Sequence, residues 1–253
     1  MEFLELEGAR LEYRLWPGRR QRGLVLLHEG LGCVSMWRDF PDRLRAASGC
    51  SVFAWSRRGY GGSSPAPAPW PADYMHGEAR HWLPLVLRAT GFDDVVLIGH
   101  SDGASIATIH AGESPAPALR GLVLMAPHFF IEDVSVASIE QARLAYEAGD
   151  LRRRLERHHG ANVDAAFRGW NRIWLDPAFR DWDIQAPLRD IQVPTLLLQG
   201  ADDEYGTLAQ IEAAQAAMAA PLTTVVLPEC RHSPHRDQPD ATVEAITAFL
   251  SGL

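Results

Sequence analysis

The sequence predicts an α/β fold: a mostly parallel, doubly wound sheet with an inserted helical segment. Three observations carry this. Short apolar runs without polar alternation recur along the chain, segments with helical spacing separate them, and the stretch His128–Leu188 shows helical pattern alone. Continuous apolar runs read as strands buried on both faces, and strand–helix alternation gives parallel pairing because a parallel neighbour is reached only through a crossover.

In chain order, Phe3–Glu7 and Leu11–Leu15, joined by Gly8-Ala9-Arg10, form an antiparallel hairpin at the sheet edge. Strands follow at Gly23–His28, Ser51–Trp55, Asp94–Gly99, Gly121–Ala126, Pro194–Gln199 and Leu222–Leu227. Helices fall at Met36–Ala47, Tyr74–Thr90, Ala104–Ala111, Leu208–Ala219 and Ala241–Leu250. Residues 1–127 and 188–253 are assigned to the core and 128–187 to a helical lid. Within the insertion Val163, Phe167, Trp170 and Trp174 share one helix face, which packs it onto the core. Arg152, Arg153, Arg154, Arg157, His158 and His159 read as a solvated helix face, and Pro65–Pro71 as a surface loop.

Composition excludes several functions. Apolar residues make up 47% and charged residues 22% of the 253, an ordinary globular balance. The net charge of −8 gives no electrostatic footprint for nucleic acid or an anionic membrane, so the expected partner is a small-molecule substrate. Every basic residue is Arg, which removes Schiff-base, pyridoxal-lysine and P-loop chemistry. Cys33, Cys50 and Cys230 are odd in number and widely spaced, suggesting neither a disulfide framework nor a thiolate zinc site. No histidine pair brackets a Glu at metal-ligand spacing, so no metal and no cofactor is expected. Acidic Glu2, Glu5 and Glu7 with no apolar leader, and no run near the ~18 apolar residues of a membrane span, predict a soluble cytoplasmic protein of open oligomeric state.

The chemistry starts at Gly99-His100-Ser101-Asp102-Gly103, where a predicted strand runs into a predicted helix. In a G-x-S-x-G at such a junction the glycines permit a sharp turn that lifts the serine hydroxyl clear of the sheet at the positive end of the helix, making Ser101 a nucleophile. A serine needs a base, and the base an orienting carboxylate, in the chain order Ser, acid, His. Gly200-Ala201-Asp202-Asp203-Glu204 and Pro228-Glu229-Cys230-Arg231-His232-Ser233-Pro234-His235 each lie just past a strand's carboxyl end, where active sites of open α/β sheets collect.

With these loops the chain resembles the α/β-hydrolase superfamily over almost its whole length. Leu27-His28-Glu29-Gly30-Leu31-Gly32 with Trp37 beyond, and Ser56-Arg57-Arg58-Gly59-Tyr60-Gly61-Gly62-Ser63, add to the match. The resemblance implies Asp203 as the acid, by its place three residues after Gly200, and His232 rather than His235 as the base. It looks most like small bacterial serine esterases, and is also similar to C–C hydrolases of meta-cleavage products. Ester hydrolysis through an acyl-enzyme is therefore expected. The alternatives are cleavage of a diketone acid, with Arg57, Arg58 or a lid Arg holding its carboxylate, and a non-catalytic binder on the same fold.

Two positions depart from the family pattern. The usual His-Gly after the third strand is His28-Glu29 here, so register makes the backbone N–H groups of Gly30 and Asp102 the oxyanion hole. Glu29 then stands beside that hole and is expected to hydrogen-bond loop backbone. Arg231 replaces a small residue before the histidine and is expected to face water. Of the other histidines, His28 and His100 are expected in loop hydrogen bonds, His76 and His81 on a surface helix, and His128 alone in reach of substrate. Glu29, His128, Trp170 and Trp174 are the candidate pocket residues. Asp202 is expected to cap loop N–H groups.

Overall fold

The computed structural model describes residues 2–253; Met1, the first residue assigned to the core, lies outside the described residues. Eight strands form one sheet: β1 (Glu2–Leu6), β2 (Ala9–Trp16), β3 (Arg20–Leu27), β4 (Cys50–Trp55), β5 (Val95–His100), β6 (Leu119–Met125), β7 (Thr195–Gly200) and β8 (Leu222–Leu227). Their spatial order is β1-β2-β4-β3-β5-β6-β7-β8. The hairpin lies at the edge as expected, β2 pairs antiparallel with β4, and every other pair is parallel.

Alternation within the central strands sets two cores. Leu24, Leu26, Val52, Ala54, Val96 and Ile98 pack on one face with Phe40, Leu44, Ile246 and Leu250. Val25, Leu27, Phe53, Trp55 and Leu97 pack on the other with Ile106, Ile109 and the aromatic residues of the insertion. Burying each such side chain contributes about 1.5–3 kcal/mol, so the sheet is held from both sides. β8 departs from the expectation of a strand buried on both faces: it is an edge, and Val226 is exposed.

The described residues form eight helices of eight or more residues: α1 (Phe40–Ser48), α2 (Leu83–Thr90), α3 (Asp102–Glu113), α4 (Asp133–Glu147), α5 (Asp150–His159), α6 (Val163–Trp174), α7 (Ala209–Ala217) and α8 (Pro239–Ser251). The helix expected over 74–90 is broken into a turn at Tyr74–Gly77, a π turn at Glu78–Trp82, and α2. Pro84 enters α2 without an N–H to donate, and the wider turn precedes it. Between β6 and β7 the chain forms α4, α5 and α6 with short helical turns and no named strand; an isolated bridge joins Phe130 to Asp183. No described helix is long and apolar enough to cross a membrane.

α5 presents the solvated basic face expected of it except at His159. Arg152 and Arg153 are in surface ion pairs with Asp164 and Asp150, but His159 is buried. Its Nδ1 accepts from the Gly61 N–H at 3.0 Å and its Nε2 donates to the Leu31 carbonyl at 3.0 Å, tying the insertion to two loops above the sheet.

Candidate active site

Ser101 sits between β5 and α3 with φ 53°, ψ −122°, the strained backbone expected of a side chain raised at a turn. The flanking glycines answer to space rather than dihedral freedom. A Cβ at Gly99 would stand 2.4 Å from the Gly103 carbonyl oxygen, and one at Gly103 would stand 2.1 Å from that of Leu27. α3 therefore approaches β3 closely only because position 103 has no side chain. Asp102 opens α3, so its N–H is among the four that a helix leaves unbonded internally.

The loops after β5, β7 and β8 bring three residues into one row. His232 Nδ1 lies 2.9 and 3.0 Å from the two carboxyl oxygens of Asp203, and Nε2 lies 3.0 Å from Ser101 Oγ. A carboxylate only accepts, so Nδ1 carries the proton and Nε2 offers its lone pair to the serine hydroxyl. Asp203 is further held by the N–H groups of Tyr205 and Gly206 and by Gln199 Nε2 at 2.6 Å. Burial pushes its pKa up, but the hydrogen bond and charge of His232 with the Tyr205 N–H hold it below the ordinary carboxylate value.

Among the neighbouring residues, Asp202 and Glu29 depart from expectation, while His235 and Arg231 lie as expected. Asp202 is exposed and makes no side-chain hydrogen bond among the described residues; Asp203 itself caps the loop N–H groups. His235 is buried against Trp37, Phe40 and His100, away from the serine. Glu29 does not bond loop backbone: Oε2 lies 3.4 Å from His100 Nδ1, and Oε1 accepts from Arg236 at 3.3 Å. Burial opposes its ionisation, yet His100 and Arg236 hold its pKa well below the usual range, so its charge is tied up behind the loop. His100 Nε2 donates to the His232 carbonyl at 2.7 Å, linking that pair to the histidine loop. Arg231 is 68% exposed and pairs with Glu204 at 3.1 Å.

Arg57 is a contributor whose role the sequence did not disclose. It is buried, and its guanidinium donates to the carbonyls of His28 (2.5 Å) and Glu29 (3.1 Å). His28 Nδ1 donates to the Glu29 carbonyl at 2.7 Å while Nε2 accepts from the Arg57 N–H at 3.1 Å, so the peptide leading into Gly30 is fixed on both sides. Arg57 and Arg58 do not line the cavity over Ser101. The carboxylate site expected of them for a diketone acid is not formed there.

That cavity, about 360 Å³, is walled by Leu31, Met36, Ile139, Leu151, Trp170 and Trp174, with Glu29, Asp102, His128, Glu204 and Arg231 among its polar residues. All four candidate pocket residues therefore border it. A Cβ on Gly30 would stand 2.3 Å from Trp170 Nε1, so this tryptophan closes over the loop after β3. Trp174 Nε1 donates to Tyr74 Oη at 3.0 Å, and the Tyr74 hydroxyl donates to Asp102 Oδ2. Among the described residues, no cluster of three or more His, Cys, Asp or Glu side chains is arranged to hold a metal ion.

Comparison with known proteins gives the family. The human protein "Serine hydrolase BPHL" is 31% identical over 130 residues, covering 51% of this chain and 43% of that protein; the match thus spans less than half of the relative's length. A proline iminopeptidase of Levilactobacillus brevis is 26% identical over 270 aligned positions, covering 90% and 88% of the two chains. The enol-lactonase of Burkholderia xenovorans LB400 superposes with a TM-score of 0.75 at 21% identity, over 99% of this chain and 100% of that one, a likeness of fold. Residues 24–245 match the Alpha/beta hydrolase family, and the chain belongs to that family.

Proposed function

We propose that the chain is a serine hydrolase that cleaves small carboxylic esters through an acyl-enzyme, with α4–α6 as a lid over the site. The observation that carries this is the continuous hydrogen-bonded row from Asp203 through His232 to Ser101. Ser101 attacks the carbonyl carbon as His232 takes its proton, and the oxygen becomes an oxyanion facing the N–H groups of Gly30 and Asp102. His232 returns the proton to the departing alcohol, and water reverses the sequence to release the acid. Arg57 and His28 both donate to the Glu29 carbonyl and keep the Gly30 peptide in place throughout, so the hole needs no rearrangement as charge develops.

A second reading refines the acyl group. The Asp102 carboxyl is 1% exposed, borders the cavity next to the nucleophile, and leaves Oδ1 without a partner among the described residues. A basic nitrogen beside the scissile carbonyl would supply that partner, and one relative is by name a peptidase for proline, an acyl donor with such a nitrogen. Among the described residues, the arginines bordering the cavity are Arg231 and Arg236, each already paired with a carboxylate, so neither is free for the acid of the C–C alternative.

The test is turnover of propionyl and alanyl p-nitrophenyl esters, which differ by the amino group. Ser101→Ala should lose at least about 10³-fold in kcat on both while keeping the fold. Activity within tenfold of wild type would sink the mechanism and favour a binder with adventitious hydrolysis. Wild type should prefer the alanyl ester, and Asp102→Asn should erase the preference; a wild type indifferent to the amino group removes the second reading alone.

A further inference from the structure

His128 lies three residues past β6, beyond Ala126, whose φ of 47° is a costly conformation for a non-glycine residue. The side chain is 2% exposed and borders the cavity over Ser101. Its ring stands edge-on to Trp174, with centroids 5.0 Å apart, and lies 5.6 Å from the ring of His232. The backbone is pinned by Ser105 Oγ, which donates to the His128 carbonyl at 2.7 Å. Among the described residues neither ring nitrogen has a hydrogen-bond partner, and Nδ1 is buried in that condition. A buried imidazole costs stability when its polar atoms go unmatched, so this one is placed at the expense of the fold.

Strand order says which part of a substrate it meets. β5 carries Ser101, β3 on one side leads to Gly30, and β6 on the other leads to His128. An oxyanion held by the Gly30 N–H would lie toward β3, away from His128. The leaving oxygen would collect its proton from His232 Nε2, and so would come off beside a ring whose centroid is 5.6 Å from that of His128. We propose that His128 is a specificity residue for the leaving alcohol, hydrogen-bonding a second hydroxyl carried two carbons from the scissile oxygen. This rests on the serine-hydrolase reading above.

A hydroxyl is the group that fits. Burial next to His232 pushes the His128 pKa down to about 3, so the ring stays neutral and presents one donor and one acceptor. A hydroxyl both donates and accepts and so satisfies either tautomer. A cationic substituent would sit against the imidazolium that His232 becomes after attack. The plain alkyl ester leaves the nitrogen unmatched, which is how a polar site rejects an analogue lacking the group it is built to bond.

The experiment compares kcat/KM for ethyl and 2-hydroxyethyl esters of one acyl group, propionyl and in a parallel set alanyl. Wild type should favour the 2-hydroxyethyl ester by about tenfold, the value of one buried hydrogen bond. His128→Phe, which keeps a ring against Trp174, should bring the ratio close to one, and His128→Asn, with a donor and an acceptor, should retain part of it. A wild-type ratio near one overturns the proposal without any variant, and leaves hydrolysis through Ser101 standing. A preference that survives in His128→Phe overturns it too, as does an equal slowing of both esters, which would assign His128 to the hydrolytic water. No turnover of any of the four esters overturns it together with the reading on which it rests.

Discussion

Asp202 and Asp203 are adjacent and chemically identical, and only one of them faces His232. The two side chains leave the turn after β7 in different directions: Asp203 reaches His232 Nδ1 and Asp202 is exposed. Asp203→Asn should leave the imidazole in the wrong tautomer and uncompensated when protonated, a loss on the order of 10⁴ in kcat. Asp202→Asn removes a carboxylate that bonds nothing among the described residues, and should change kcat by less than about twofold and stability by under about 0.5 kcal/mol. Measuring both on one ester decides it: a dead Asp202 variant means the row of hydrogen bonds is not the working one. The family resemblance, through the place three residues after Gly200, pointed to Asp203 in the sequence. The partners of Glu29 were not, because His100 and Arg236 are distant in the chain and no local pattern joins them.

Elements were legible where one periodicity governs them and obscure where a contact across the fold overrides it. β5 and α3 follow from an unbroken apolar run and a helical repeat; the edge position of β8 depends on strand order, which no local window contains. α5 shows the same limit. Its basic surface reads correctly from charge, while His159, in the same run, turns inward to bond Gly61 and Leu31. Through Leu31 this histidine steadies the segment that carries Gly30. His159→Ala should therefore cost about 1–3 kcal/mol for the buried groups left unmatched, and lower kcat more than it raises KM. Urea unfolding with ester kinetics checks both. A variant of unchanged stability and activity would show that α5 is held by its apolar contacts alone.

At the scale of the whole molecule, the histidines buried to build this site make the fold sensitive to acid. His128 has its pKa pushed by burial from an ordinary 6.5 down to about 3, and burial holds His28 and His235 well below their usual value. Between those limits the unfolded chain binds a proton that the native His128 refuses, so stability rises with pH across the window and is lost as pH falls from 6.5 toward 3. Each such group contributes up to about 1.4 kcal/mol per pH unit while the two states differ by a full proton. Glu78, pushed up to about 7 by burial, acts in the opposite sense between its ordinary 4.5 and 7, as does Asp102, whose pKa burial also raises. His76, His110, His158 and His159 are lowered by burial as well, and Glu29 and Asp203 are held below the ordinary carboxylate value, so more groups lose stability on acidification than the two raised carboxyls return. The free energy of urea unfolding should thus fall from pH 7 to pH 5, and His128→Phe, which keeps the ring packing and removes the titration, should flatten the slope by up to about 1.4 kcal/mol per pH unit. Equal stability at the two pH values would overturn the predicted acid sensitivity of the fold, and a slope unchanged in the variant would mean that His128 is protonated in the native state. A cation there would also leave it no acceptor for the hydroxyl assigned to it.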